Sequence, residues 1–161
     1  MIVDSAYNIQ ANLLIGNSQY TPNYIFVEYK NVQSTSETVS DEVQSTDTIA
    51  HYSRLANNTD YLAIPITLQP RLIEPTGENK AAVEYSVVTS GYTEGELRKD
   101  TEQSVPFSTT ANSLIYSLGL VSRVKTVDGY EDILFARTVL DPDKQLLKTT
   151  SDIYITWKIE L

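Results

Sequence analysis

Apolar and polar residues alternate with a period of two along much of the chain, and this pattern predicts a mainly β protein. The clearest run is 153–161, where the odd positions are apolar and the even positions are mostly polar. Because successive side chains of a strand point to opposite faces, this run predicts a strand with one buried face. The residues expected on that face are Ile153, Ile155, Trp157, Ile159 and Leu161.

The same alternation predicts further strands, each bounded by turn residues such as Ser90-Gly91 and Asp128-Gly129. They are expected at 23–29, 62–68, 81–87, 114–124 and 133–139. Pro65 cannot donate a ladder hydrogen bond, so its strand is expected at a sheet edge or with a bulge. Together these strands predict one antiparallel β-sandwich domain over residues 1–161.

One or two short helices are expected in the N-terminal half. Residues 4–15 begin with a good N-cap residue and place Ala6, Ile9 and Leu13 on one helical stripe. Residues 47–55 begin in the same way and carry apolar residues at a helical spacing.

Two long polar segments, 31–46 and 91–110, separate the periodic runs and are predicted to be loops. The first is rich in Ser, Thr and Gln and carries Glu37, Asp41 and Glu42 without any Lys or Arg. Such a segment is expected to become ordered against a partner.

The composition excludes several classes of function. A net charge of -9 disfavours nucleic acid and anionic membranes as partners, because both are bound through clustered Lys and Arg. The absence of Cys excludes disulfides and zinc–thiolate sites. No apolar run approaches the roughly 20 residues that span a bilayer, and the N-terminus does not look like a secretory signal. The 33 Ser and Thr and 11 Tyr, against three Phe, are typical of β-rich domains with polar faces.

The sequence contains few of the residues and motifs that are typical of catalytic sites. His51 is its one histidine, so it could serve as the base of a nucleophilic triad or lie half-buried in a short helix. There is no Gly-x-Ser-x-Gly elbow and no glycine-rich phosphate loop. The acidic clusters at 128–132 and 141–143 resemble ordinary turns more than calcium loops. We therefore expect no catalytic residue, cofactor or metal.

Aromatic residues and one cation are the candidate contact residues. Tyr24 belongs to a closely spaced group of tyrosines that could stack on a partner protein or a sugar, or simply lie half-buried in a sheet. Arg137 places a positive charge inside an apolar strand. Strict alternation puts it on one face with Phe135 and Val139, where it would form a structural salt bridge or an interface pair.

The C-terminal third has a recognisable order of motifs. It runs Ser117-Leu118-Gly119-Leu120-Val121, Asp128-Gly129, Ile133-Leu134-Phe135-Ala136-Arg137-Thr138, Asp141-Pro142-Asp143-Lys144 and Asp152-Ile153-Tyr154-Ile155-Thr156-Trp157-Lys158-Ile159. This order resembles small structural proteins of tailed bacteriophages. Leu13-Leu14-Ile15-Gly16, leading through Pro22 to Asn23-Tyr24-Ile25, is similar to the opening helix and first strand of that family. Where the family has an acidic residue before Ala-Gly-Leu, this chain has Tyr116-Ser117-Leu118.

The resemblance implies a non-enzymatic component of a virion, with a β-sandwich body in the tail, baseplate or fibre-adaptor apparatus. Its partners would be other virion proteins, and it would form a homo-oligomer within the assembly. Two alternatives remain open: a capsid decoration, cement or neck protein, and a carbohydrate-binding receptor module for host glycans. The candidate structural and assembly residues are Arg137, Trp157, Phe135, Tyr24, Glu37, Asp41 and Glu42.

Overall fold

The computed structural model describes residues 1–32, 36–53, 59–89, 96–98, 104–105, 112–147 and 153–161, and strands dominate them. The strands are β1 (Tyr24–Val32), β2 (Thr59–Pro65), β3 (Arg71–Ile73), β4 (Ala82–Thr89), β5 (Glu96–Arg98), β6 (Ser104–Val105), β7 (Asn112–Thr126), β8 (Gly129–Val139), β9 (Leu146–Leu147) and β10 (Ile153–Glu160). The helices are α1 (Ala6–Leu14) and α2 (Ala50–Ser53), with 3₁₀ turns at Ser18–Tyr20 and Pro142–Lys144. The predicted mainly β class is confirmed.

The strands form two antiparallel sheets. The larger sheet has the order β6-β5-β2-β1-β7-β8, and β9 also pairs with β7, beyond the end of β8. The smaller sheet has the order β10-β4-β3. The predicted Asp128-Gly129 turn joins β7 and β8 into a long hairpin in which Gly129 has a φ of 131°, a value that favours glycine.

The main core lies between the two sheets and α1, as in a β-sandwich. Its larger members are Ile9, Ile25, Val27, Tyr29, Leu62, Ile64, Tyr85, Val87, Ile115, Leu120, Val124, Ile133, Phe135, Ile155, Trp157 and Ile159. Trp157 is 9% exposed, so the predicted inward face of the C-terminal strand is confirmed there. Leu161 was expected on that buried face but is 57% exposed, because it lies past the end of β10.

The opposite face of the larger sheet, here called the outer face, is also covered. A second cluster on it contains Phe26, Tyr61 and Leu134. Val43 and Ile49, from the segment 36–53, pack against this cluster. A central strand buried on both faces loses its alternation. This explains the uninterrupted apolar run Tyr61-Leu62-Ala63-Ile64 in β2.

A β-bulge in β8 decides which way Arg137 points. The β8 partners of Leu120 and Val121 are two positions apart, and Phe135 is the extra residue between them. Phe135 packs in the main core. Because a bulge resets the alternation of a strand, Arg137 lies on the outer face. The expectation that Arg137 shares a face with Phe135 is therefore wrong.

Several elements differ from the expectations. The short strands β3, β5, β6 and β9 were not predicted, and β5 and β6 lie within 91–110, which was expected to be a loop. Most of that loop lies outside the described residues. The second helix is only the four residues of α2, and the end of the predicted 47–55 helix also lies outside them. Pro65 is the last residue of β2 and pairs with Tyr24 of β1. β5 pairs with β2 only at Leu62 and Ala63, so Pro65 has a neighbouring strand on one side only within the described residues.

Candidate functional site

The most unusual feature of the outer face is a fully buried ion pair between Glu28 and Arg137. Both side chains are 0% exposed. The Nε and Nη2 atoms of Arg137 donate to Oε1 of Glu28 at 3.0 and 2.8 Å. Glu28 is on β1 and Arg137 is on β8, and β7 lies between these strands. The pair therefore links three neighbouring strands of the larger sheet.

Three further side chains complete the shell around the Glu28 carboxylate. Ser117 Oγ donates to Oε1 at 2.8 Å, and the Tyr116 hydroxyl donates to Oε2 at 2.9 Å. His51 Nε2, from α2, lies 3.1 Å from Oε2. A register shift between β1 and β7, at Glu28 and Tyr29, makes Tyr116 an extra residue of β7. This bulge allows two consecutive residues to reach the same carboxylate.

These contacts set the ionisation of the centre. Burial alone would raise the pKa of Glu28, but the hydrogen bond to His51 and the charge of Arg137 hold that pKa below its ordinary value. Burial and the adjacent Glu28 carboxylate raise the pKa of the Tyr116 phenol. Glu28 is therefore a carboxylate and Tyr116 a neutral donor at neutral pH. Neither pKa is shifted toward neutrality, as a general acid or base would need.

Two acidic residues of the segment 36–53 form ion pairs with Arg137 of this centre. Nη2 of Arg137 donates to Asp41 Oδ2 at 2.6 Å, and its Nη1 lies 3.5 Å from Asp47 Oδ2. The backbone of Val39 exchanges two hydrogen bonds with the Gln145 side chain. Residues 36–46 contain neither helix nor strand, and they contact the outer face of their own sheet.

The centre contains three side chains of types that bind metal ions. Glu28, Asp41 and His51 each offer a ligand atom, and these atoms lie within 4.8 Å of one another. The guanidinium of Arg137, however, already donates to both carboxylates. Because this side chain supplies the positive charge at the centre, the arrangement fits an internal ion-pair network and we assign no metal to it.

A second buried arginine lies on the same face, toward the β7–β8 turn. Arg123 forms a two-pronged pair with Asp132, at 2.8 and 3.0 Å. Its guanidinium lies between the rings of Tyr24 and Tyr130, 4.4 and 4.1 Å from their centroids. Burial would lower the pKa of Arg123, but the hydrogen bonds to Asp132 outweigh it and raise that pKa. Sequence reasoning missed this pair, although counting back from the Asp128-Gly129 turn sets the two residues opposite each other.

The structure gives each predicted assembly residue a place. Phe135 and Trp157 lie in the core, Tyr24 contacts Arg123, Arg137 pairs with Glu28, and Asp41 pairs with Arg137. Glu37 and Glu42 are exposed, and the backbone N–H of Glu42 donates to Asp41 Oδ1. The partner of Arg137, which the sequence left open, is therefore inside the chain.

An apolar groove at the C-terminal end of α1, here called the α1 groove, is the clearest contact surface among the described residues. It has a volume of about 390 Å³. Its lining residues are Gln10, Leu13, Leu14, Pro22, Val83, Tyr85, Phe135, Ile159 and Leu161. Leu14 and the adjacent Ile15 are 88% and 77% exposed. Contiguous exposed apolar surface of this kind marks interaction sites. The run Leu13-Leu14-Ile15 was an available signal, because a single helical stripe cannot bury all three residues.

Comparisons with known proteins give no identity. In the part of the chain that the structure describes, no helix is long and apolar enough to cross a membrane. No family model matches the chain, and neither a curated protein nor a solved structure matches it.

Proposed function

We propose that this chain is a non-enzymatic structural subunit of a tailed bacteriophage virion, in the tail, baseplate or fibre-adaptor apparatus. Its action is to bind other virion proteins. The observation that carries the proposal is the α1 groove with the exposed apolar residues beside it. The order of motifs in the C-terminal third, which resembles small phage structural proteins, supplies the setting.

The groove has the character of a protein-binding surface. Its lining is mostly apolar, and Gln10 and Tyr85 are the side chains with polar groups among the described residues that form it. Covering an exposed Leu or Ile side chain stabilises a complex by about 1.5–3 kcal/mol. Leu14 and Ile15 are exposed enough to supply most of that amount each. A few such residues at the centre of an interface can dominate its affinity.

The buried Glu28–Arg137 centre supports a structural role. Its carboxylate accepts hydrogen bonds from β7 and β8 and contacts α2, so it joins elements that are distant in sequence. Both residues are completely buried, which leaves no access for a substrate. A fully hydrogen-bonded buried network of this kind makes a core rigid and specifies its packing.

A paired substitution tests the proposal in phage particles. Leu14→Glu places a charge on the α1 groove, and the matched control Val127→Glu places the same charge on a fully exposed turn residue. Both variants should fold with the stability of the native chain, because neither side chain is buried. A phage that lacks the native gene is grown in cells that supply one variant, and the particles are purified. The Leu14→Glu chain should be absent from these particles, and the Val127→Glu chain should be present.

The outcomes of that experiment separate the candidate functions. Incorporation of Leu14→Glu at the native level would contradict the groove as the contact surface. Failure of the native chain to enter particles at all would overturn the virion role and reopen the glycan-binding alternative. Antibody labelling of the chain on the capsid shell would favour the decoration or neck alternative over a tail position.

A further inference from the structure

In the described part of the chain, β10 is an edge strand of the smaller sheet. β10 lies at the end of the smaller sheet and pairs with β4 without interruption, from Ile153 opposite Thr89 to Glu160 opposite Ala82. Within the described residues, no strand pairs with its other edge. A regular edge strand of this length without proline is a template for adding another strand.

The charges on the solvent face of the smaller sheet alternate in sign. Arg71 of β3 lies opposite Glu84 of β4 and donates to it at 2.9 Å. Glu84 in turn lies opposite Lys158 of β10. The row across the three strands is therefore positive, negative, positive. Because opposite charges on facing strands stabilise a sheet, a fourth strand that continues the row would place an acidic residue beside Lys158.

The chain carries such an acidic residue on the same face of β10. The Glu160 carboxylate accepts hydrogen bonds from Thr76 at 2.7 Å and from Asn79 at 2.6 Å. The bonds from Thr76 and Asn79 lower the pKa of Glu160, so this residue presents a fixed negative charge near the end of the strand. Its strand partner in β4 is Ala82, which carries no charge.

We propose that two copies of the chain pair antiparallel through their β10 edges, about a two-fold axis at Ile159. Lys158 of each copy then lies opposite Glu160 of the other, so both charge rows continue across the junction. A pairing centred on Lys158 would set two lysines against each other. One centred on Thr156 would set Lys158 opposite Tyr154, and one centred on Trp157 would set it opposite Thr156. Among the registers centred on residues 156 to 159, only the one centred on Ile159 sets Lys158 opposite an acidic residue.

The same register also covers apolar surface. It sets Leu161 of one copy opposite Trp157 of the other, on the inner face of the joined sheet. Leu161 is 57% exposed in the single chain, and together with Ile159 it lines the α1 groove. The dimer would therefore bury an exposed residue of the groove and leave Ile15 on α1 for other partners. This inference deepens the proposed assembly role, on which it rests for its biological setting.

Cysteine cross-linking of the isolated chain tests the register, because the native chain has no cysteine. Residues directly opposite in antiparallel strands have Cβ atoms about 4.5–5.5 Å apart, close enough for a disulfide to form with little movement. A mixture of Lys158→Cys and Glu160→Cys should give a cross-linked dimer on mild oxidation. A disulfide between two copies of Thr156→Cys, or between two copies of Lys158→Cys, as the main product would contradict the register. Cross-linking of the mixture no better than that of the exposed control Lys144→Cys would contradict the dimer.

Charge reversal gives an independent test by analytical ultracentrifugation. Lys158→Glu should raise the dimer dissociation constant at least about tenfold, while Lys144→Glu, with the same change in net charge, should leave it unchanged. The double variant Lys158→Glu, Glu160→Lys should recover dimerisation, because it restores the opposite pairing. A native chain that stays monomeric would overturn the inference. Since these assays need no virion, their failure is distinct from failure of the particle-incorporation test.

Discussion

Replacement of Arg137 by Met is the sharpest test of the buried charge centre. Met keeps much of the side-chain length and removes the guanidinium. The substitution deletes two hydrogen bonds to Glu28, one to Asp41 and a longer one to Asp47. It also leaves the Glu28 carboxylate completely buried without the Arg137 guanidinium. Removing one partner of a buried ion pair costs about 3–5 kcal/mol. Domains of this size are stable by only about 5–15 kcal/mol, so the loss should be large in urea denaturation.

A matched variant shows whether burial is the cause. Arg71→Met removes an arginine from an ion pair with Glu84, but the Arg71 side chain is 68% exposed. Exposed pairs contribute about 0–1 kcal/mol, so this control should unfold almost like the native chain at the same protein concentration. Equal losses for Arg71→Met and Arg137→Met would refute the reasoning.

A second variant separates two costs of Arg137→Met: the unpaired charge of Glu28 and the loss of packing. Glu28→Gln combined with Arg137→Met removes both charges of the pair. Because an uncompensated buried carboxylate is the main cost, the double variant should be more stable than Arg137→Met alone. A double variant whose loss equals the sum of the two single losses would mean that Glu28 and Arg137 are not coupled.

Three further results are expected. The pKa of Glu28 is lowered in the folded chain, so the unfolded chain binds a proton at this residue first as the pH falls. The free energy of unfolding should therefore decrease below about pH 4.5, the ordinary pKa of the group. If the free energy of unfolding of Glu28→Gln falls as steeply with pH, this would contradict the prediction. Trp157→Ala should cost about 3–5 kcal/mol in urea denaturation, and a cost under about 1 kcal/mol would show that the side chain is not buried. Asp41→Asn should speed amide hydrogen exchange in 36–53 while leaving the strands of the larger sheet protected, and uniform exchange rates would show that Asp41 does not hold the segment.

The sequence predicts the positions of strands best where one face of a strand is buried and the other face is exposed to solvent. The C-terminal strand is of this kind, and its period-two pattern appears in the structure at Ile155, Trp157 and Ile159, which are buried. The Asp128-Gly129 turn also appears as expected, because its turn residues are a local signal. The short strands β5 and β6 have three and two residues. No periodic signal can arise over so few positions.

The charge centre could be anticipated only in part. Arg137 stands out as a cation in an apolar strand, and a carboxylate partner was expected. Glu28, however, looks like an ordinary solvent-facing position of an alternating strand. Only the order β1-β7-β8 brings it near Arg137, and the bulge at Phe135 turns Arg137 toward it. Strand order and bulges depend on long-range pairing, which a local pattern does not encode.

Quantitative mass spectrometry of purified phage particles, calibrated against the coat protein and combined with antibody labelling, tests the central claim most directly. The account predicts that the chain is present at a copy number far below that of the coat protein, with label on the tail. An even copy number would agree with the proposed pairing of subunits. Copies comparable to the coat protein, with label over the shell, would contradict the tail position, and absence of the chain from particles would contradict the virion role itself.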